Sequence, residues 1–325
     1  MRDLRQFLYV AATVIAVASG ALSHAAAQSQ TIKTIKIVVP FPPGGAADFI
    51  ARVLAEQVGR FNGLVTVVEN RPGAGSVVGT EAVSRAAPDG RTILLDSKES
   101  IINPHLRKVN YNPLTSFESI CRLATSPTVI SVNNASPYRT LANLLDAARA
   151  KPAQLTLAAS GPASPFQIGF EMLKRVARVD IIFVPFPGAA PAVNALLGQH
   201  VTSTLTTYST VAEHLKAGKL HALAATSLTR VEALPSVPTV SESGYEDFEL
   251  DIWYGLVAPK KTPGEAISQL AGLFTAAMQV PEVKAKLLVQ GLYPEPMCGA
   301  DFDALIYKQY NEYGRVIRES NIRAE

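Results

Sequence analysis

The residues best placed to do chemistry are Pro40-Phe41-Pro42-Pro43-Gly44-Gly45-Ala46-Ala47-Asp48, and their chemistry is that of the main chain. A β-branched run, residues 35–39, enters this stretch and an amphipathic pattern, residues 49–58, leaves it, which predicts a strand, a glycine turn and a helix start. Glycines let the backbone take positive φ and come close to a ligand. The unpaired N–H groups and dipole of a new helix favour negative charge. The stretch therefore reads as an anion seat, although Pro-Gly-Gly also serves simply to turn a chain.

Two more loops have the same strand-to-helix setting. Residues 70–79 contain Gly73-Ala74-Gly75 and Gly79 and imitate a dinucleotide fingerprint, with Asp96 where a ribose-binding acid would stand. The spacing departs from G-x-G-x-x-G, so glycines for close helix-on-strand packing are the better reading. Residues 159–165 place Ser164 at an N-cap and Pro165 at the first helical position. Ser160, Gly161, Ser164 and Pro165 are thus either a plain cap or a second anion seat.

Catalytic constellations are scarce. No G-x-S-x-G elbow, Walker loop or H-E-x-x-H occurs, and His105, His200, His214 and His221 are not spaced as a helical metal pair. No catalytic residue, metal or cofactor is expected. Cys121 and Cys298 lie 177 residues apart, and whether they pair is open at this level.

These loops need strands and helices to hold them, and apolar runs of strand length at 35–39, 65–68, 92–95, 129–132, 155–158, 181–184, 220–225 and 255–258 alternate with helical patterns. That alternation predicts an α/β fold with mostly parallel sheets flanked by helices. Residues 263–325 read as helical apart from a break near 291–297. Before the first strand, Arg2 and Arg5 precede an apolar run, residues 7–18, and then Ala25-Ala26-Ala27. This is the pattern of a Sec signal peptide, residues 1–27, and implies export. Losing Arg2, Arg5 and Asp3 would take the net charge from +3 to +2, and near neutrality without basic blocks argues against nucleic acid as partner. A composition 48% hydrophobic and 18% charged is that of a globular protein with a sizeable core.

Together these loops and later landmarks resemble the periplasmic receptors of tripartite tricarboxylate transporters, the Bug family. The landmarks are the first loop with Ala51-Arg52, then Asn70-Arg71-Pro72-Gly73-Ala74-Gly75, Ala87-Pro88-Asp89-Gly90, Val184-Pro185-Phe186, Leu234-Pro235-Ser236-Val237-Pro238 and Trp253-Tyr254-Gly255-Leu256-Val257-Ala258-Pro259. The resemblance implies a two-lobed periplasmic binding protein, or Venus flytrap, that binds a small organic carboxylate, is not an enzyme, and delivers its ligand as a monomer to membrane transporter subunits. The lobes would be residues 28–133 with 254–325, and 134–253. The implied ligand-binding positions are Phe41, Pro43, Gly44, Gly45, Ala47 and Asp48, facing Ser160, Gly161, Ser164 and Pro165. Phe186 and Tyr208, with Phe166, could suit an aromatic acid as readily as an aliphatic one. Ala163, Phe166-Gln167, Ser76 and the hydroxyl-rich residues 202–210 depart from the family pattern and bear on ligand identity. An exported α/β enzyme acting on a carboxylate and a receptor serving a signalling partner are the alternative readings.

Overall fold

The computed structural model describes residues 34–161 and 163–323; the predicted signal peptide lies outside these. The described chain forms two sheets flanked by helices. The first contains β1 (Thr34–Val39), β2 (Val65–Asn70), β3 (Thr92–Ser97), β4 (Phe117–Ser126), β10 (Ile252–Pro259) and β11 (Tyr293–Cys298), in the order β11-β4-β10-β3-β1-β2. The second contains β5 (Thr128–Asn133), β6 (Thr156–Ser160), β7 (Ile182–Phe186), β8 (Ser203–Thr207) and β9 (Leu220–Ala225), in the order β7-β6-β8-β5-β9.

Each sheet contains the same supersecondary unit. In the first, β1, α1 (Ala46–Asn62), β2, α2 (Val77–Ser84), β3 and α3 (Lys98–Leu106) follow one another, with β2 and β3 parallel to β1 on either side of it. In the second, β6, α5 (Pro165–Ala177), β7, α6 (Ala189–Leu197), β8 and α7 (Tyr208–Lys216) repeat that arrangement, with α4 (Leu141–Ala150) preceding β6. β1 is buried along most of its length and β3 almost throughout, while the edge strand β2 is not. The continuous apolar runs at residues 35–39 and 92–95 suit such inner positions.

The sheets are mixed, not mostly parallel, because of where the chain crosses between them. β4 ends at Ser126 and β5 starts at Thr128, so Pro127 alone separates strands of different sheets. Proline has no N–H to give to a ladder, which makes it a natural break. The chain leaves the second sheet at Ala225 and re-enters the first at Ile252, beside Ser126. A strand that re-enters where its neighbour left must run the other way, so β10 is antiparallel to β4. By the same logic β5 is antiparallel to β9, with Val129 opposite Ala225. Residues 129–132, expected with the first lobe, pair inside the second sheet with β8 and β9.

Three strands and a helix went unread in the sequence: β4, whose Phe-Glu-Ser-Ile-Cys-Arg start mixes polar and apolar residues, β8, whose Ser-Thr-Leu-Thr-Thr is nearly all hydroxyl-bearing, β11, which carries two prolines, and α3, which contains Pro104. The C-terminal part, α8 (Gly264–Gln279), α9 (Pro281–Val289), β11 and α10 (Ala300–Glu319), completes the first sheet and covers it. Trp253 is buried edge-on against Phe302 at 5.3 Å, and its indole N–H donates to Gln309 Oε1 at 2.8 Å. Cys298 lies opposite Cys121 in the β11–β4 register, and the two form a disulfide.

Candidate functional site

The first loop leaves the carboxyl end of β1, next to the carboxyl end of β3. β1 continues to β2 on one side while β3 lies on the other, so the helices that follow β1 and β3 diverge. Such a switch point opens a crevice in α/β sheets. A cavity of about 350 Å³ lies there, bounded by Phe41, Pro42, Pro43, Gly45, Ala46 and Ala47 of the loop, Glu99 of α3 and Tyr254 of β10. Tyr254 reaches it because it pairs with Ser97, the last residue of β3.

The loop presents main-chain donors to this cavity. Gly45 is the N-cap of α1 and no side chain caps the helix. The first turn closes with the Phe49 N–H donating to the Gly45 carbonyl at 2.9 Å. Among the described residues, no main-chain acceptor meets the N–H groups of Ala46, Ala47 and Asp48. Gly44 holds φ at +91°, which a side chain would strain, whereas a Cβ at Gly45 would meet nothing within 4 Å.

Asp48, expected to touch the ligand, is not among the side chains that line the cavity. Its Oδ2 accepts from the Gly44 N–H and from Arg52 Nε, both at 2.9 Å, and its Oδ1 accepts from Asn70 Nδ2 at 2.9 Å. Asn70 Nδ2 also donates to the Phe41 carbonyl at 3.1 Å, and Arg52 donates to Asn70 Oδ1 at 3.0 Å. Burial pushes the Asp48 carboxyl upward, but the bonds from Arg52, Gly44 and Asn70 outweigh it and hold it below the usual carboxylate value. Asp48, Arg52 and Asn70 therefore fix the loop so that the helix amides stay open.

The corresponding position in the second sheet is the β6–α5 loop, at the switch point between β6 and β8. Here the helix is capped. Ser164 Oγ accepts from the Gln167 N–H at 3.3 Å, and the Ala163 N–H donates to Gln167 Oε1 at 2.6 Å. Gly161, at φ +64°, donates its N–H to the Phe186 carbonyl at 2.8 Å, so Ser160, Gly161, Ser164, Pro165 and Phe186 form one neighbourhood. None of them borders the cavity at the first loop. Phe186 and Tyr208 pack against the apolar cluster of the second sheet around Val193, Leu196 and Val211. Tyr208 also lines a different cavity of about 550 Å³, with Glu213, Glu232, Val289 and Tyr293.

The nucleotide-like loop resolves as packing. A Cβ on Gly79 would lie 2.8 Å from both the Arg71 carbonyl oxygen and Pro40 Cβ. Asp96 is buried, pushed up to about 7 by burial, and its Oδ1 has no hydrogen-bond partner among the described residues. Glu99 and Tyr254 are the site residues that motif reading missed. Glu99 stands in a helix interrupted by Pro104, and only the β3–β10 register reveals that it and Tyr254 share a wall.

The model of the tripartite tricarboxylate transporter family receptor matches residues 50–322. The chain is 30% identical over 324 residues to BugT of Bordetella pertussis, covering 99% of both. Its fold is similar to that of a TctC solute-binding protein from Polaromonas, with a TM-score of 0.83, 25% identity and coverage of 90% of this chain and 100% of the other. It is also similar to Rpa4515 of R. palustris, solved with adipate, with a TM-score of 0.75, 26% identity and coverage of 91% and 99%. Paired α/β sheets with a glycine turn at each switch point, and a family match spanning both, lead to one conclusion: the chain belongs to the family of tripartite tricarboxylate transporter receptors.

Proposed function

We propose that this chain captures a small organic carboxylate in the periplasm and delivers it to a tripartite tricarboxylate-type transporter. The observation that carries this reading is the uncapped N-terminus of α1, whose Ala46, Ala47 and Asp48 amides lack main-chain acceptors beside the cavity at the β1/β3 switch point. Oriented N–H groups and a helix dipole bind a carboxylate without an arginine. A relative solved with adipate is in keeping with that ligand class.

In this proposal the two sheets belong to two lobes, and closure brings Ser160, Gly161, Ser164 and Pro165 towards a ligand seated on Gly45, Ala46 and Ala47. The ligand shifts an open–closed equilibrium by its differential affinity for the closed form. Export fits the leader-like residues 1–27, and the receptor acts as a monomer with no turnover of its ligand.

A thermal-shift screen of aliphatic and aromatic mono-, di- and tricarboxylates tests the reading. A binder at about a hundred times its Kd stabilises by about 2.7 kcal/mol. At least one acid should raise the melting temperature with one-to-one stoichiometry and be recovered unchanged. Failure of every carboxylate to bind, or conversion of a bound acid to product, overturns it.

A further inference from the structure

Of the residues lining the cavity at the first loop, Glu99 alone is charged, and its charge has the sign that an anion seat would avoid. It is half-buried in the first turn of α3, where the helix dipole favours it, and its Oε2 accepts from the Ser97 hydroxyl at 2.6 Å. Beside it stands Tyr254; burial and then the Glu99 charge raise the pKa of its phenol, which keeps its proton. The neighbouring cation, Lys98, is fully buried and turned away, donating to the Tyr313 hydroxyl at 2.8 Å, with Glu249, Asp251 and Glu312 as well as Glu99 in its field. The cavity thus has donors at the α1 end and an ionic acceptor at Glu99, beside a Tyr254 hydroxyl that both donates and accepts.

Resting on the carboxylate reading above, we infer that Glu99 selects the ligand's second group: the preferred ligand is a carboxylate carrying a hydrogen-bond donor, ammonium or hydroxyl, which it gives to Glu99. An apolar tail would cover Glu99 without replacing the water it loses. A second carboxylate would meet a like charge in a desolvated cavity. A volume of about 350 Å³ keeps both ends of the ligand within one small molecule. The receptor would therefore rank an amino or hydroxy acid above the dicarboxylate of equal length.

Calorimetry on the purified chain and on Glu99→Gln, with two matched sets of acids, tests this. One set is propionate, lactate, alanine and malonate; the other is butyrate, γ-hydroxybutyrate, γ-aminobutyrate and succinate, with adipate added. The wild type should bind a donor-bearing acid about tenfold or more tighter than the dicarboxylate or plain acid of its set, as a hydrogen bond to a charged group warrants. E99Q should narrow that ratio to within about threefold by weakening the former and improving the latter. Carboxylate binding without donor preference, or a preference that E99Q leaves intact, overturns the inference and leaves the receptor reading standing. No binding of any carboxylate removes both. Where E99Q does not fold, the wild-type ranking decides alone.

Discussion

Gly45 and Ser164 hold equivalent places at the head of α1 and α5, yet one leaves its helix uncapped and the other caps it. Gly45→Val should therefore separate binding from folding. Its φ of −85° is open to any residue and a Cβ there meets nothing, so the melting temperature of the free protein should stay within about 2 °C while carboxylate-induced stabilisation disappears. Retained stabilisation would take the loop out of the site. Ser164→Ala should cost about 1 kcal/mol through loss of the cap and weaken carboxylate binding severalfold, because the hydroxyl that accepts from Gln167 can still donate. An unchanged affinity would leave Ser164 a cap alone. These positions were legible in the sequence because turn and cap chemistry is local. Asp48 was legible as a loop residue but not in its role, since its partners Arg52 and Asn70 come from a helix turn and a neighbouring strand.

At the scale of elements, α5 meets the segment that carries the chain back towards the first sheet through an unusually close contact. A Cβ added to Gly169 would sit 2.0 Å from Leu250 Cδ2, so only a glycine admits Leu250 here. Gly169→Ala should destabilise by about 1–3 kcal/mol, read as a lower denaturation midpoint, and Gly169→Ala with Leu250→Ala should regain part of that loss. Both residues look ordinary in the sequence, a glycine and a leucine 81 positions apart. What the sequence did show were elements with a clean period: α4 was read at residues 141–150, its observed bounds, and β9 at 220–225. What it hid were β4 and α3, because buried polar residues and an internal proline blur the period that burial normally writes.

Across the whole molecule, two buried carboxyls set a pH dependence. Burial lifts Asp96 and Asp251 to about 7 in the folded chain, against 3.8 for an ordinary aspartate, and Glu99 near Asp96 adds to the rise. The folded state therefore keeps protons that the unfolded chain has released, so their stabilisation is full below about pH 4 and is lost as pH rises through about 7. The denaturation midpoint should fall between about pH 5 and pH 8, and Asp96→Asn should flatten that fall; an equal slope in the variant would remove Asp96 as its source. Lys98, lowered to about 8 by burial, acts above that window. The alternation of strands and helices made an α/β fold foreseeable and the family resemblance implied two lobes, but the point of exchange at Pro127 was hidden, because β4 before it does not read as a strand. That crossing also bears on how the protein is assembled. The second sheet comes from one uninterrupted stretch, Thr128 to Ala225, whereas the first waits for β10 to fill the gap between β3 and β4 and for Cys298 to reach Cys121. A chain arriving N-terminus first can finish its second sheet early, while β3 and β4 hold open, apolar edges until β10 has followed it out. During that interval the newborn receptor is at its most aggregation-prone, and a chaperone that shields strand edges would have the most to protect.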